Sequence, residues 1–521
     1  MNIGVRERWA LAMLASIASA ACVEATTPVE PPVVLDEEDS PADSRDHGRG
    51  DLDMSSPDLS ELADSGQDVR DMSPLDDMPL PMFDDGPLRD PIADRATVDA
   101  PPERLFSTLI QDLPLEAFQE ASRGREFFVA EWEPAGGGRE LLDGLGPLFH
   151  VSSCLGCHPP EGRPPTFLAG GEVGPGILFR LRDEQGRADA SYGGQLQPRA
   201  SSGVEPEAAP RWYALTEGEE PAGIEEDAPR VKLGDALMVV FEERAYGDFG
   251  EQTGIGPRLS PHLTGMGLLD AIPTEHLEAL EDPEDEDGDG ISGRIHWHTR
   301  DDGAKVAGRF GWKANSVTLR EQIAGAFLGD MGLTSPVEPV DDCAPPQQAC
   351  LDAPDGGSFE VSARGLDAVV EYMRLLGVPA RRVVDPERER SGFERFVSIG
   401  CAGCHVPRAT TRIEERAGSG APLSGLVIYP FTDLLLHDMG EALGDGVSDG
   451  QATGREWRTP PLWGIGRVAD QPHARFLHDG RAATLEEAIL AHGGEALGTT
   501  QRYKALSADE REALLVFLES L

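Results

Sequence analysis

The sequence of 521 residues predicts a mainly α-helical body that follows a long acidic segment without a core of its own. Three observations support this prediction. A Cys-x-x-Cys-His motif occurs twice, shorter motifs follow each copy in the same order, and residues 23–102 are rich in Asp, Glu, Pro and Ser. Motifs that recur in order along a chain indicate tandem structural units. We therefore expect two related helical domains, one at residues 103–375 that contains insertions and one at residues 376–521.

The N-terminus has the pattern of an export signal. Arg6 and Arg8 precede an apolar stretch over residues 9–17, and small residues lead from it to Cys22. These are the three regions of a secretory signal peptide, and the apolar stretch is too short to span a bilayer. A Cys after two alanines favours a lipoprotein-type signal peptide over residues 1–22, with ordinary secretion and an incidental Cys22 as the alternative.

Export of this kind predicts a location in the periplasm or cell envelope. As an outer-membrane lipoprotein, the protein would contact a membrane only through a lipid on Cys22. Residues 23–102 would then form a disordered tether, because they hold 22 acidic residues against 5 Arg and only one aromatic residue, Phe83. Such a segment cannot bury enough apolar surface to offset its ordering entropy. The net charge of the whole chain, −48, argues against a nucleic-acid partner.

The two Cys-x-x-Cys-His motifs consist of Cys154, Cys157 and His158 in the first copy and Cys401, Cys404 and His405 in the second. This is the attachment sequence for c-type haem, in which both sulfurs bond to the porphyrin and the adjacent His ligates the iron. A zinc site would need a second Cys or His pair nearby, and a thiol redox pair does not require the trailing His. We therefore predict two covalently bound haem c groups.

Shorter motifs repeat downstream of each haem motif. Residues 260–267 and 459–466 both fit [Ser/Thr]-Pro-x-Leu-x-Gly-x-Gly. Farther on, residues 313–323 and 481–489 share a basic-Ala pair, a Thr-Leu pair, a Glu and an Ile. Three elements in the same order, twice, predict two tandem cytochrome c-like haem domains.

This order of motifs resembles the bacterial di-haem cytochrome c peroxidases and the methylamine-utilisation di-haem enzymes. It is most similar to their relatives, the di-haem oxidoreductases that also bear the name thiol oxidoreductases. The resemblance covers roughly residues 140–521. It implies a peroxidase-like oxidoreductase in which the N-terminal haem reacts with peroxide and the C-terminal haem passes electrons to it. The alternative is a non-catalytic di-haem electron-transfer cytochrome.

The resemblance also implies a second iron ligand for the C-terminal haem. In the peroxidases, a His-x-Gly element is followed fourteen residues later by a Met that binds the other face of this haem. Here the element begins at His478, and His492 occupies the later position. A bis-His haem would have a lower reduction potential than a His/Met haem. His437 and Met439 are the rival ligands.

Three residues correspond to the distal side of the N-terminal haem in that family. Trp312 would lie between the haems and relay electrons, unless it is an ordinary core Trp. Gln322 matches a distal Gln, and Asp330 stands where the peroxidases have a catalytic Glu. A carboxylate there can take a proton from hydrogen peroxide and return it to the leaving oxygen. The resting iron would be either open or closed by His262 or Met266.

The acidic run at 285–290 suggests a further site. Asp285, Asp287 and Asp289 place oxygen ligands at alternate positions, and a Gly stands sixth, as in an EF-hand loop. Position twelve is His296 instead of the usual Glu, so the loop is incomplete. Calcium bound by the three aspartates is the prediction, and a solvated acidic turn is the alternative.

The remaining two cysteines predict a disulfide. Cys343 and Cys350 are expected to form a structural disulfide, since an exported chain lies in an oxidising compartment.

The acidic charge of the chain bears on its partners. The expected partners are a small redox electron-donor protein, for which a basic surface would suit this acidic chain, and peroxide or a similar small oxidant.

Overall fold

The computed structural model describes residues 92–138, 142–216, 220–221, 223–225, 227–354, 356–413 and 421–521. The predicted signal peptide, Cys22 and residues 23–91 of the predicted tether lie outside the described residues. Export and lipidation therefore stay predictions. Among the described residues, no helix combines the length and the apolar character needed to cross a membrane.

The described residues form short helices and many short strands. The α-helices are α1 (Leu115–Val129), α2 (Cys154–Cys157), α3 (Met266–Asp270), α4 (Thr274–Glu278), α5 (Leu319–Met331), α6 (Gln348–Leu351), α7 (Ala363–Arg374), α8 (Pro386–Ser398), α9 (Ile465–Ala469), α10 (Leu485–Ala491), α11 (Leu497–Ala505) and α12 (Ala508–Ser520). The strands are β1 (Thr97–Val98), β2 (Glu133–Pro134), β3 (Asp143–Leu145), β4 (Leu148–Phe149), β5 (Ile177–Arg182), β6 (Arg199–Ala200), β7 (Ala209–Ala214), β8 (Arg230–Leu233), β9 (Leu237–Glu242), β10 (Gly254–Leu259), β11 (Trp297–Thr299), β12 (Lys305–Ala307), β13 (Val378–Pro379), β14 (Ala409–Thr410), β15 (Val427–Ile428), β16 (Leu436–Asp438) and β17 (Glu456–Arg458).

The prediction of a mainly α fold made of two tandem cytochrome c-like domains is wrong. Helix accounts for only 30% of the structure and strand for 18%, in many small sheets. Much of the strand lies between the first haem motif and the motif at 260–267, where β5 to β10 form what we call the β-module (residues 177–259). The sequence predicts insertions in the N-terminal domain but not that this one is made of strands, because it contains none of the repeated motifs.

The β-module has two small sheets and a core of its own. Strands β5 and β10 pair antiparallel, and β9 lies between β7 and β8 in a three-stranded antiparallel sheet. Alternate residues of β5, from Ile177 to Leu181, are buried in the module's core. The intervening Leu178, Arg180 and Arg182 line a cavity on the other side. This period of two is that of a strand with two different faces.

Two helix pairs repeat the same close contact. Helix α1 packs against α7, and α8 packs against α12. A Cβ on Gly124 would lie 1.9 Å from the carbonyl oxygen of Ala368, and a Cβ on Gly392 would lie 2.1 Å from that of Ala513. Only glycine permits helices to approach so closely. The internal repeat inferred from the motifs therefore extends to the packing.

The motifs at 260–267 and 459–466 fold alike. In each, a glycine in the left-handed region (Gly265 at φ +69° and Gly464 at φ +75°) starts a five-residue helix, α3 or α9. The next motif glycines, Gly267 and Gly466, lie against backbone carbonyls in the last turns of α7 and α12. In each motif, backbone geometry therefore requires both glycines, and neither is needed for chemistry at a site.

The N-terminal boundary of the folded body differs from the predicted one. Residues 92–102, which the sequence assigned to the tether, include the buried side chains of Ile92 and Ala96. Strand β1 also pairs in parallel with β13. The described residues belong to one compact unit, and the division into 103–375 and 376–521 stays a prediction. Cys343 and Cys350 form the predicted disulfide.

The contact between α8 and α12 gives a stability prediction. Gly392→Ala should lower the free energy of unfolding by about 1–3 kcal/mol, because its methyl group would overlap the Ala513 carbonyl. Chemical unfolding of the haem-loaded protein would measure this loss. The matched control is Gly498→Ala in α11, whose methyl group would meet Arg502 at an ordinary 3.5 Å. It should leave stability unchanged or raise it by up to about 1 kcal/mol. Equal stability of the two variants would contradict the close packing.

Candidate haem sites

A cavity of about 560 Å³ lies among the first haem motif, helix α5 and strands β5 and β10. This volume is within the range of cofactor pockets. The predicted site residues that line it are Cys154, Cys157, His158, Trp312, Gln322 and Asp330. The fold thus places residues that are far apart in the sequence around one cavity.

The first haem motif presents its histidine in one tautomer. Cys154 to Cys157 form the short helix α2, and His158 follows it. Nδ1 of His158 lies 2.8 Å from the carbonyl oxygen of Pro261. A carbonyl can only accept, so Nδ1 carries the proton and Nε2 keeps its lone pair. Burial lowers the pKa of His158, which keeps the ring neutral, as a metal ligand must be.

The second haem motif repeats this arrangement. Nδ1 of His405 donates to the carbonyl oxygen of Phe431 at 3.0 Å, so Nε2 is again the nitrogen with a free lone pair. Burial lowers the pKa of His405 to about 4, and the nearby His492 acts in the same direction. Both motif histidines are therefore neutral and held by a backbone carbonyl.

The thiols of the two motifs are un-ionised. Burial raises the pKa of Cys154 to about 12, with Asp330 adding to the effect. Burial likewise raises the pKa of Cys401 to about 12. Reactive thiol pairs have lowered pKa values, so the environment does not favour a thiol redox pair at either motif.

His492 is the predicted second ligand to the C-terminal haem. It follows helix α10 as its C-terminal cap, and its Nδ1 donates to the carbonyl oxygen of Ala488 at 2.6 Å. Nε2 is therefore the nitrogen that could bind a metal. Burial lowers the pKa of His492, which favours the neutral ring that a metal ligand requires. Iron ligation by His492 stays a prediction.

The rival ligand His437 is held between two carboxylates. Its Nδ1 lies 2.8 Å from Glu495 and its Nε2 lies 2.9 Å from Asp433, so both nitrogens are occupied. Burial opposes a charge on the ring, but Cys404 and Asp433 raise the pKa of His437 well above its usual value. A thioether at Cys404 would carry no charge, and Asp433 would still favour the protonated ring. Met439 follows β16, is half-buried and stays an alternative ligand.

Helix α5 carries both predicted distal groups. Gln322 and Asp330 lie eight residues apart, about two turns, and both line the cavity. Oδ1 of Asp330 accepts a hydrogen bond from Nε2 of Gln195 at 2.9 Å. Oε1 of Gln322 is buried and has no hydrogen-bond partner among the described residues. A buried amide oxygen of this kind normally has a partner, so its environment fits a polar ligand in the cavity.

Trp312 belongs to a row of aromatic rings that the sequence did not predict. Its Nε1 donates to the carbonyl oxygen of Leu259 at 2.8 Å. Its ring lies edge-on to His478, with centroids 6.3 Å apart. His478 in turn stacks on Trp457 at 3.5 Å. No motif marks Trp457. Its contact with His478 depends on how the paired strands β16 and β17 pack in the fold, which no local sequence pattern shows.

The cavity has an excess of positive charge although the whole chain is acidic. Its basic lining residues are Arg163, Arg180, Arg182, Arg258, Arg309, Lys313 and Arg458. Its acidic lining residues are Glu321, Asp330, Glu338 and Asp449. Burial lowers the pKa of Lys313 to about 7 and that of Arg458 to about 10. Such a lining favours a ligand that carries carboxylates.

The acidic loop gathers a different set of aspartates from the predicted one. Carboxylate oxygens of Asp282, Asp285 and Asp287 lie within 4.8 Å of one another. Asp289 does not belong to this group, and its carboxylate accepts a hydrogen bond from the amide of Ile291 at 2.8 Å. Exposed acidic turns often adopt such geometry without an ion. Calcium at Asp285, Asp287 and Asp289 therefore stays a prediction.

Comparison with known families identifies the chain. Residues 248–521, more than half of the sequence, match the family model described as "Di-haem oxidoreductase, putative peroxidase". The chain belongs to this di-haem oxidoreductase family. The matched part contains the second haem motif together with Trp312, Gln322 and Asp330, whereas the first haem motif and most of the β-module precede it. The predicted family resemblance is confirmed.

Hydrazine synthase from Kuenenia stuttgartiensis, pressurised with 20 bar of xenon, is among the solved structures that are similar over part of the chain, at 20% identity and a TM-score of 0.21. The similarity covers 36% of this chain and 65% of that one, so this chain spans less than two thirds of its length. A TM-score this low supports no argument about fold or function. None of the curated proteins matches the chain.

The geometry at the second haem motif predicts the effect of removing His492. In His492→Ala, the ferric haem of the second motif should change from a low-spin bis-imidazole signal to a high-spin or weakly ligated one, because Nε2 of His492 would be lost. Electron paramagnetic resonance would measure the change. His437→Gln serves as the control and should keep the low-spin signal, since both nitrogens of His437 face carboxylates. The reverse pattern would transfer the ligand assignment to His437, and no change in either variant would transfer it to Met439.

Proposed function

We propose that this member of the di-haem oxidoreductase family is an exported c-type cytochrome with peroxidase-like activity. In this proposal, the haem bound by His158 reacts with peroxide and the haem bound by His405 transfers electrons to it. One observation carries the proposal: a single cavity is lined both by the first haem motif and by the Asp330 carboxylate.

The residues around the cavity fit a covalently bound haem. Cys154 and Cys157 would bond to the porphyrin of the N-terminal haem, and Cys401 and Cys404 to that of the second. The motif histidines offer a neutral Nε2 to each iron, since each Nδ1 is bonded to a carbonyl. The basic lining of the cavity suits the carboxylates that haem carries.

The distal residues would move the proton that peroxide reduction requires. Haem iron, when bound, supplies a position for peroxide and a path for electrons. Reduction of hydrogen peroxide to two waters consumes two electrons and two protons. The Asp330 carboxylate would accept a proton from one peroxide oxygen and return it to the oxygen that leaves. Gln322, on the same helix, would hydrogen-bond to the peroxide and orient it.

Electrons would pass between the two sites by way of Trp312. Support comes from its position, because the indole lines the cavity of the N-terminal site and also meets His478 edge-on. His478 opens the element from which the position of His492 is counted. An aromatic ring in this place would shorten the gap that an electron must cross.

The proposal extends to location and partners. We propose an envelope location with a lipid on Cys22 as the only membrane contact, a small redox protein as electron donor, and peroxide or a similar small oxidant as substrate. The net charge of −48 supports a donor with a basic surface. Calcium bound by Asp285, Asp287 and Asp289 would neutralise part of the negative charge of this loop.

A second function, electron transfer without a substrate, is favoured by one observation. His262 and Met266 line the same cavity as His158, and either could occupy the remaining iron position. Nδ1 of His262 is bonded to the Thr264 hydroxyl at 3.0 Å, which leaves its Nε2 for such a role. With both irons six-coordinate, the protein would carry electrons and bind no peroxide.

Covalent attachment predicts two haems per chain. A pyridine haemochrome assay should return two, and Cys404→Ala should reduce the number to one, because one thioether bond of the second haem cannot form. The control is the double variant Cys343→Ser/Cys350→Ser, which removes two sulfurs outside the motifs and should keep both haems. One haem or none in the wild type would refute the proposal.

The role of Asp330 predicts the effect of neutralising it. Asp330→Asn should slow peroxide-dependent oxidation of a reduced donor by about 10²–10⁴-fold with both haems retained, because the group that moves the proton is lost. The control is Asp302→Asn, at an exposed turn, which should keep wild-type rates. Assays before and after partial reduction of the haems test whether the site must first open. Wild type without turnover in either state, with both haems low-spin, would establish the electron carrier instead.

A further inference from the structure

The β-module supplies a hydrogen bond to the proposed acid–base group. Nε2 of Gln195 lies 2.9 Å from Oδ1 of Asp330 and 2.6 Å from the carbonyl oxygen of Gly329. Gln195 is only 4% exposed. We propose that Gln195 is a positioning residue, which holds the Asp330 carboxylate in its orientation toward the cavity. This inference rests on the proposed role of Asp330.

The orientation of the Gln195 amide follows from its surroundings. Both of its neighbours at hydrogen-bond distance, the Asp330 carboxylate and the Gly329 carbonyl, are acceptors. Only the NH₂ group can satisfy them, so a reversed amide would place oxygen against oxygen. The amide oxygen Oε1 is left buried without a partner among the described residues. The amide of Gln195 thus donates two hydrogen bonds while its oxygen Oε1 stays buried without a hydrogen-bond donor in the described part of the chain, which is unfavourable for that atom.

The backbone of Gln195 is fixed as well. The residues on either side of it are bonded to β5: the amide of Leu181 donates to Gly194 at 3.1 Å, and the amide of Leu196 donates to Phe179 at 2.9 Å. Because β5 is also the strand whose other face lines the cavity, the side chain of Gln195 starts from a rigid base. Its reach to Asp330 is set by the sheet and not by a mobile loop.

The hydrogen bond from Gln195 makes the two carboxylate oxygens of Asp330 different. Oδ1 is engaged by Gln195, whereas no hydrogen bond within the described part of the chain engages Oδ2. Asp330 itself lines the cavity. Oδ2 is therefore the oxygen available to take and return a proton. Gln195 does not line the cavity and acts only through Asp330.

The chain offers a matched control two residues away. Gln197 is equally buried, at 4% exposed, and its Nε2 donates to the same Gly329 carbonyl at 2.7 Å. It makes no hydrogen bond to Asp330 within the described residues. Replacing either glutamine by methionine keeps the approximate volume and removes the donor. The two variants therefore differ in one contact, that with the Asp330 carboxylate.

Steady-state kinetics of the two-haem protein with hydrogen peroxide tests the inference. Gln195→Met should lower kcat by about tenfold and change KM by less than about twofold, since the proton-moving group loses its orientation and the substrate keeps its place. Gln197→Met should leave both kcat and KM within about twofold of the wild-type values.

Two results would overturn the inference. Equal losses in the two methionine variants would assign the effect to packing around Gly329, and wild-type kinetics in Gln195→Met would remove any role for the hydrogen bond. If Gln195→Met fails to fold or to retain its haems, Gln195→Glu takes its place. A second carboxylate beside Asp330 cannot replace the lost hydrogen-bond donor, so kcat should again fall while KM stays within about twofold, and a wild-type kcat in this variant overturns the inference.

An Asp330→Asn background separates this inference from the function on which it rests. There, Gln195→Met should cause no further loss, because no ionised carboxylate is left to position. If Asp330→Asn alone keeps wild-type turnover, the proposed role of Asp330 and this inference fall together. If Asp330→Asn is slow but Gln195→Met behaves like Gln197→Met, only the positioning role is wrong.

Discussion

Each haem motif ends on a histidine whose Nδ1 proton is donated to a backbone carbonyl, and most of the site geometry depends on this contact. It fixes the tautomer, directs Nε2 away from the chain, and joins the motif to a distant segment. For His158 that segment is the motif at 260–267, since the acceptor is Pro261. For His405 the acceptor is Phe431, and the neighbouring Pro430 accepts in turn from the amide of Leu462 in the motif at 459–466. The repeated motifs therefore serve to hold the two imidazoles.

The sequence could predict those features of the structure that depend on residues close together in the chain. The first haem motif forms one short α-helical turn and the second a 3₁₀ turn, and Gly265 and Gly464 adopt the backbone angles that only glycine adopts readily. The grouping of Gln322 and Asp330 also followed from sequence, because both lie on one helix and their roles came from a family resemblance. Such features survive insertions elsewhere in the chain, which is why the repeat was visible although the fold class was wrong.

Contacts between distant segments could not be predicted. Gln195 meets Asp330 across 135 residues, and nothing in the sequence around either one indicates the other. The strand structure of the β-module was not predicted for a related reason, since its residues carry none of the repeated motifs. In the acidic loop, the backbone turns so that Asp282 joins Asp285 and Asp287. Alternation of carboxylates along the sequence did not reveal that turn.

The attachment of the β-module has a consequence for access to the cavity. Strand β6 pairs with β4 just before the first haem motif, Arg199 donates to the carbonyl oxygen of His150 at 2.7 Å, and β10 continues into the motif at 260–267. Because the β-module is attached at several places, it cannot move away from the cavity like a lid unless all of these hydrogen bonds break at once. The β-module is therefore a fixed wall of the cavity, and under the proposed function the oxidant would reach the site without any movement of this wall.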